Sequence, residues 1–562
     1  MFSVNAGGGE PYTVAAALLG EFVPAALERS PELVEAHDIE IRAAAPALAG
    51  LVPARRRSRA ADLPAAERIL VHGARRTLRV ANGLAEFVRD HLTKAGPYRL
   101  TVENLDEADH TDREFLTVLR RRVSPELLEL TVRDGRGRDP SRAPEPAGLP
   151  ELLEKIERCR TEGFHHAMAR LGERALGLLD HDDDPETWWR LVHRTGTALT
   201  AIEREDEARA LYDLGRRTST EPKHRATAAY ATAMILVRHS DRARRDPEEA
   251  MAWINEAVTI TALLPDRRAR AFHLGFDLNG KALIELRRGN ADRALELVRE
   301  SIELAERDLD PGEHPIHKLV LRANLAHLLA LRGEREAALA ELDAVIEADP
   351  GYPDYYIDRG NLLHAMGRSA EALRDYETAM AVDLPYPELF YNRAEVRYAG
   401  GDLEGALADL DHAVELDPDF TAAYVNRAGL LAALGQYGRA RADVARAPED
   451  PYLLCVLGQV EAAEGRPGEA REAYDRAIAA DPRLADAWAG RGVLAFENGD
   501  AESALADLTR AVELGESAEL LFNRSVALRA LGRTAEARAD LARAAELAPG
   551  DEDIAAALAE TG

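Results

Sequence analysis

Apolar positions recur at a period near 3.6 residues along most of this chain, the spacing of helices with one buried face. The segments near 154–180, 186–219, 224–262 and 269–307 each read as a pair of such helices. From about residue 317 to 549 the same pattern continues with a much stricter repeat. The first 150 residues are different. Thr77–Lys94 and Asp109–Arg122 carry the helical period, while Tyr98–Glu103 and Leu127–Val132 are short apolar runs with strand character. Helix, strand, helix, strand in that order predicts a small parallel α/β sheet. The expected organisation is therefore a small α/β domain over 1–150, divergent helix pairs over 151–310, and seven well-defined repeats with a capping helix over 311–562.

The repeat is marked by glycine. Gly333, Gly367, Gly401, Gly435, Gly465, Gly499 and Gly532 are separated by 34, 34, 34, 30, 34 and 33 residues. Five residues after each stands an alanine, from Ala338 to Ala537. A period near 34 with small residues at fixed offsets is the mark of stacked helix pairs. Glycine permits the turn between the two helices, and alanine lets them cross closely. Pro350, Pro385, Pro418, Pro482 and Pro549 end the second helix of a unit. The fourth unit is four residues short, so its second helix, read as Ala440–Ala447, is expected to form a tighter junction before Tyr452. Upstream, Gly289 and Ala294 keep the five-residue offset, and a longer loop is expected around Asp308–His317. Asp551 is expected to cap a final helix reaching Glu560.

A second regularity is an ion pair. Arg359, Arg393, Arg427, Arg491 and Arg524 each have an aspartate 16 residues later, namely Asp375, Asp409, Asp443, Asp507 and Asp540. The two remaining repeats lack the arginine, with Leu325 before Glu341 and Leu457 before Ala473. Joint presence predicts one bond per repeat between its two helices; the alternative is an arginine ladder reading an anionic ligand.

The segment 317–549 resembles tetratricopeptide repeats (TPR), most clearly in Leu389-Phe390-Tyr391-Asn392-Arg393-Ala394, Gly401-Asp402, Ala406, Ala413 and Asp417-Pro418. The resemblance implies a mostly α fold, a right-handed α-solenoid whose concave groove binds a peptide or partner protein. It places in the groove one position of each successive repeat, just before the arginine where there is one: Asn324, Asp358, Asn392, Asn426, Val456, Gly490 and Asn523, with Tyr391 and Tyr398 as apolar contacts. Three residues beyond these positions stand His327, Asn361, Glu395, Gly429, Gln459, Val493 and Val526. No basic pair appears there, so the family's carboxylate-binding version is not expected.

Arg99–Asp109 resembles the Walker B strand and following turn of signal-transduction ATPases (the STAND class), with Glu103 and Asp109 at the two acidic places. Pro11-Tyr12-Thr13 resembles the segment beyond such a protein's nucleotide-binding helix. The resemblance implies a P-loop-NTPase-like domain, but an incomplete one. Gly7-Gly8-Gly9 has no following lysine, and a working site needs glycine-rich amides, a lysine and a hydroxyl. Gly275–Lys281 fits the spacing of a phosphate loop, but Ala282 follows it and the apolar period runs through it as a helix.

Charge narrows the function. The chain of 562 residues has a net charge of -28. Residues 1–150 are nearly neutral, so the helical part carries almost the whole excess. An acidic solenoid repels nucleic acid and anionic membrane. Only Cys159 and Cys455 are present, too few for a disulfide framework or a four-ligand zinc site. No charged-then-apolar segment opens the chain, and the cytoplasm is the expected location. No catalytic residue, metal or cofactor is expected. The reading is a non-enzymatic adaptor for a basic or neutral protein or peptide. The alternatives are a STAND-type nucleotide-dependent regulator and a factor presenting a peptide to a modifying enzyme.

Overall fold

The computed structural model describes residues 2–7, 9–54, 76–133, 148–384 and 386–561. They form two compact units, Met1–Pro385 and Tyr386–Gly562.

The first unit opens with a three-stranded parallel sheet in the order β1 (Phe2–Asn5), β2 (Tyr98–Glu103), β3 (Leu128–Arg133). Phe2 pairs with Leu100 and Tyr98 with Leu128. β2 has the expected bounds, and β3 lies one residue beyond the expected Leu127–Val132. β1 was not expected: only Phe2 and Val4 are apolar in it, and four residues are too few to show alternation. Helix Thr13–Arg29 follows it directly. Pro11–Thr13 therefore lies between β1 and this helix. Leu18, Leu19 and Phe22 of that helix, Leu84 and Phe87 of helix Arg76–Ala95, and Phe115 and Leu119 of helix His110–Arg122 pack around Leu100 and Val102 as one core.

Helical pairs then run from Leu149–Glu162 and His165–Leu176 to Pro353–Ala365 and Ser369–Val382. The α/β part is tied to the start of this run. Glu10 meets Lys155 and Arg158, Tyr12 packs edge-on to Phe164, and the rings of His110 and His166 lie 3.7 Å apart. It is also tied to the end of the run: Leu384, only 2% exposed, belongs to the α/β core. The expected loop falls between helices Ala291–Asp308 and Pro315–Leu331. Gly275–Lys281 lies inside helix Arg267–Arg287, where consecutive amides are committed to the helix and cannot wrap a phosphate.

The second unit is five helix pairs and the cap. Its first helices are Pro387–Ala399, Thr421–Ala433, Pro451–Ala463, Ala485–Glu497 and Ala518–Ala530. All seven marker glycines have positive φ, between 70° and 84°, the left-handed conformation that side chains disfavour. In each turn the residue after the glycine donates its N–H to the carbonyl five residues back, as Asp402 does to Arg397 at 2.9 Å. That bond satisfies a carbonyl the helix leaves open. All seven alanines are 0% exposed, so a larger side chain at any of them would force the helices apart. The short second helix is Tyr437–Val444, ending three residues before the expected Ala447. Asp551 caps helix Glu552–Glu560, accepting from Asp553 and Ile554 N–H at 3.0 Å each.

Candidate functional site

The arginines of the repeats are structural. Arg393 grips Asp409 with two bonds of 2.9 and 2.6 Å, Arg427 grips Asp443 at 2.8 and 2.5 Å, and Arg359, Arg491 and Arg524 hold Asp375, Asp507 and Asp540 in the same way. Arg359, Arg427 and Arg491 also reach back 16 residues to Asp343, Asp411 and Asp475 of the preceding repeat. Each of these three guanidiniums thus fixes both the crossing within a repeat and the step between repeats. Aromatic rings lie beneath several of them, with Tyr424 5.3 Å from Arg427 and Trp488 4.9 Å from Arg491. An anion-reading ladder is excluded because the forks are already filled. Where the arginine is missing, Glu341 is held by Arg322 instead.

In the second unit the first helices from Thr421–Ala433 onward touch in succession, Pro387–Ala399 reaches Thr421–Ala433 through side chains, and the five form one wall. Asn426 donates to the Glu395 carboxylate of the preceding first helix at 3.5 Å, and the Tyr391 ring packs 5.4 Å from Phe420. Burial, then the nearby Glu395 charge, raises the pKa of the Tyr391 hydroxyl. Tyr391, Glu395 and Asn426 therefore form one polar cluster across two repeats. Tyr398, one turn beyond Glu395, is 57% exposed, and Tyr452 on the third first helix is 49% exposed.

The predicted lining residues divide into kinds. Asn392 and Asn523 are half-buried on their first helices. Asn324, in the first unit, donates to Asn279 at 2.9 Å. Asp358, also in the first unit, is exposed, yet surrounding protein and the neighbouring Asp354 push its pKa up to about 7. The expectation that this repeat position lines a groove fails at two places. Val456 is buried. Gly490 is covered by Tyr474: a Cβ there would sit 2.5 Å from its ring. Glycine at that place serves packing. Cys455 is buried among Leu454, Ala477, Leu484 and Ala487, and burial pushes its thiol up to about 12, which leaves it inert. Glu395 was missed because only basic residues were sought at its position; its place on the exposed stripe of the helix was the available signal.

The acidic residues of the α/β part have structural partners. Glu103 at the end of β2 accepts from Ser3 at 3.3 Å. Asp109 caps helix His110–Arg122 by accepting from Thr111 N–H at 3.1 Å, and Arg170 faces it at 3.8 Å. Phosphate is commonly held at the N-terminus of the helix after the first strand. Here that place is taken: Asp112 accepts from Val14 N–H at 2.9 Å and Ala15 N–H at 3.4 Å. With Asp112 on those amides, the Val14 and Ala15 N–H groups are already committed at this helix end.

A tetratricopeptide-repeat family model matches residues 357–419, 391–453, 455–518 and 495–552. The chain carries tetratricopeptide repeats. Among solved structures it is similar to yeast Tom70, with 16% identity over 74% of this chain and 94% of that one and a TM-score of 0.39. It is also similar to a tetratricopeptide repeat protein from Parabacteroides merdae, with 18% identity over 51% and 98% and a TM-score of 0.33. MamA from Desulfovibrio magneticus is 23% identical over 29% and 94%, with a TM-score of 0.25. No curated protein matches in sequence. No helix among the described residues is long and apolar enough to cross a membrane.

Proposed function

We propose that this chain is a non-enzymatic TPR scaffold that binds a peptide or partner protein along the wall of first helices in its second unit. Tetratricopeptide-repeat proteins are typically protein-interaction scaffolds. The observation that carries the reading is the pair Tyr398 and Tyr452. Two large side chains stand about half in solvent, and an exposed aromatic beside polar partners is the composition of a recognition surface. The polar cluster of Tyr391, Glu395 and Asn426 next to Tyr398 supplies hydrogen bonds for an extended backbone or a polar side chain. Asn392 and Asn523 belong to the same reading, and Asn324 and Asp358 are its counterparts in the first unit.

The test is selection of peptides from a random display library on the intact protein, followed by affinity measurement on the double variant Tyr398→Ala/Tyr452→Ala. Loss of two rings from a recognition surface is expected to weaken the selected peptides by about tenfold or more, with an unchanged thermal melt. Selected peptides that bind the double variant as well as the parent would refute the assignment.

A further inference from the structure

The wall has an unusual charge balance. Its five first helices contain six arginines, and every one is turned to a carboxylate. Arg393, Arg427, Arg491 and Arg524 hold the aspartates of their own repeats, Arg397 holds Asp409 at 2.9 Å, and Arg529 meets Glu560 at 3.2 Å. No lysine or histidine occurs in these helices. The carboxylates are treated differently. Glu461 is held by Arg441 and Arg466. Glu388, Glu395, Asp486, Glu497 and Glu519 are all exposed, and none of them forms an ion pair with a described basic residue.

These five lie on one stripe. Within a helix, positions 7 and 11 residues apart fall within about 20° of one another. Glu388 and Glu395 are separated by 7, and Asp486 and Glu497 by 11; Glu519 holds the same place as Glu388 in its repeat. Arg393, Arg427, Arg491 and Arg524 sit about 140° from the stripe position of Glu388 and point into the second helices. The stripe is charged only at its ends. On helices Thr421–Ala433 and Pro451–Ala463 it presents Ala422, Gly429, Tyr452 and Gln459 instead. A Cβ built on Gly429 would meet nothing within 4 Å, so the middle is open as well as neutral.

We propose, on the scaffold reading above, that this wall takes an extended segment of a partner protein carrying basic side chains at both ends of an uncharged, apolar middle. One basic side chain seats on Glu395, whose carboxylate accepts from Asn426, with the Tyr398 ring beside it for cation–π contact. The other meets Asp486, Glu497 and Glu519. The middle lies over Gly429 and against Tyr452. Three steps separate the first helix from the fourth. At about 10 Å between neighbouring helices and about 3.3 Å per extended residue, the two basic ends stand about nine residues apart.

The test is fluorescence anisotropy with the full chain and labelled synthetic peptides. The first has Lys-Arg at each end of a nine-residue apolar and neutral middle. The second has the same ends around a four-residue middle. The third replaces the basic ends with Glu-Glu. The first is expected to bind best, with affinity falling as salt rises. Glu395→Gln is expected to weaken it about twofold to fivefold, as is Asp486→Asn with Glu519→Gln; these exposed substitutions should leave the melt unchanged. Equal binding of the acidic peptide, or no effect of the charge-neutral variants, overturns the inference. If the peptides bind regardless of charge but are lost on Tyr398→Ala/Tyr452→Ala, the scaffold reading stands and the charge reading falls. If no peptide depends on those tyrosines, both fall.

Discussion

The bond between Arg427 and Asp443 gives the sharpest test of the repeat design, because its two halves should not be equivalent. The Asp443 side chain is 5% exposed and the Arg427 side chain 15%. Arg427→Met keeps the stem and removes the charge, leaving a buried carboxylate without its guanidinium. Breaking a buried pair from that side costs about 3–5 kcal/mol. The carboxylate can escape by binding a proton, which at pH 7 costs about 4 kcal/mol; that sets the ceiling. Asp443→Asn is milder. Arg427 keeps Asp411 at 2.8 Å and its ring contact with Tyr424, and the amide oxygen still accepts, so a loss of about 1–2 kcal/mol is expected. The gap of about 2 kcal/mol should close as pH falls from 7 toward 4.5, because protonating the orphaned carboxylate becomes easier. Urea unfolding followed by circular dichroism would give the totals. Hydrogen exchange in helices Thr421–Ala433 and Tyr437–Val444 would localise them, since a repeat array need not unfold in one step. A cost for Asp443→Asn equal to that of Arg427→Met, or a gap that ignores pH, would refute the reasoning.

Three further outcomes are expected. Burial pushes Asp112 up to about 7 against the opposing pull of the Val14 and Ala15 amides. The folded chain therefore holds this proton more tightly than the unfolded one, and stability falls as pH rises from about 4 through 7. Asp112→Asn keeps the acceptor for the amides and should flatten the fall in melting temperature between pH 5.5 and 8; Asp277, also pushed to about 7, leaves a remaining slope. Gly490→Ala forces a Cβ to 2.5 Å from the Tyr474 ring and should destabilise by about 1–3 kcal/mol, whereas Gly429→Ala has open space and should gain up to about 1 kcal/mol from helix propensity, both read by urea unfolding. Leu384→Ala removes a core side chain of the α/β part and should cost about 2–5 kcal/mol, seen as faster hydrogen exchange in β2 and helix Thr13–Arg29.

Repetition made the TPR part readable. A single Gly-x4-Ala says little, but seven copies at one period separate packing positions from drift, and the structure buries each of those alanines. The Arg–Asp pair was readable for the same reason: the arginine comes and goes with its aspartate across repeats, as expected only if the two touch. Non-repeated features had no such averaging. β1 is four residues with two apolar side chains. Leu384 packing into the α/β core joins residues nearly three hundred positions apart, and a local period cannot report that. Groove positions were half readable. The arginine gave the register, but whether its neighbour is exposed depends on what the preceding second helix brings over it. Tyr474 covers Gly490, while at Asn426 the counterpart leaves room for a bond to Glu395.

The charge of the chain gains a meaning once side chains are sorted by their partners. An overall excess of acid says only that the molecule repels polyanions at long range. The wall adds a local asymmetry: its arginines are consumed inside the repeat and its stripe carboxylates are not. A surface selected only for solubility has no need to divide the two signs this way, because mixed charges serve as well. The arginine-to-aspartate bonds therefore do two things. They set the helix crossings, and by drawing every cation inward they leave the outward stripe negative. Losing one of these aspartates would loosen a crossing and leave its guanidinium one carboxylate short, so the aspartates of the ladder govern what the wall can hold without touching it.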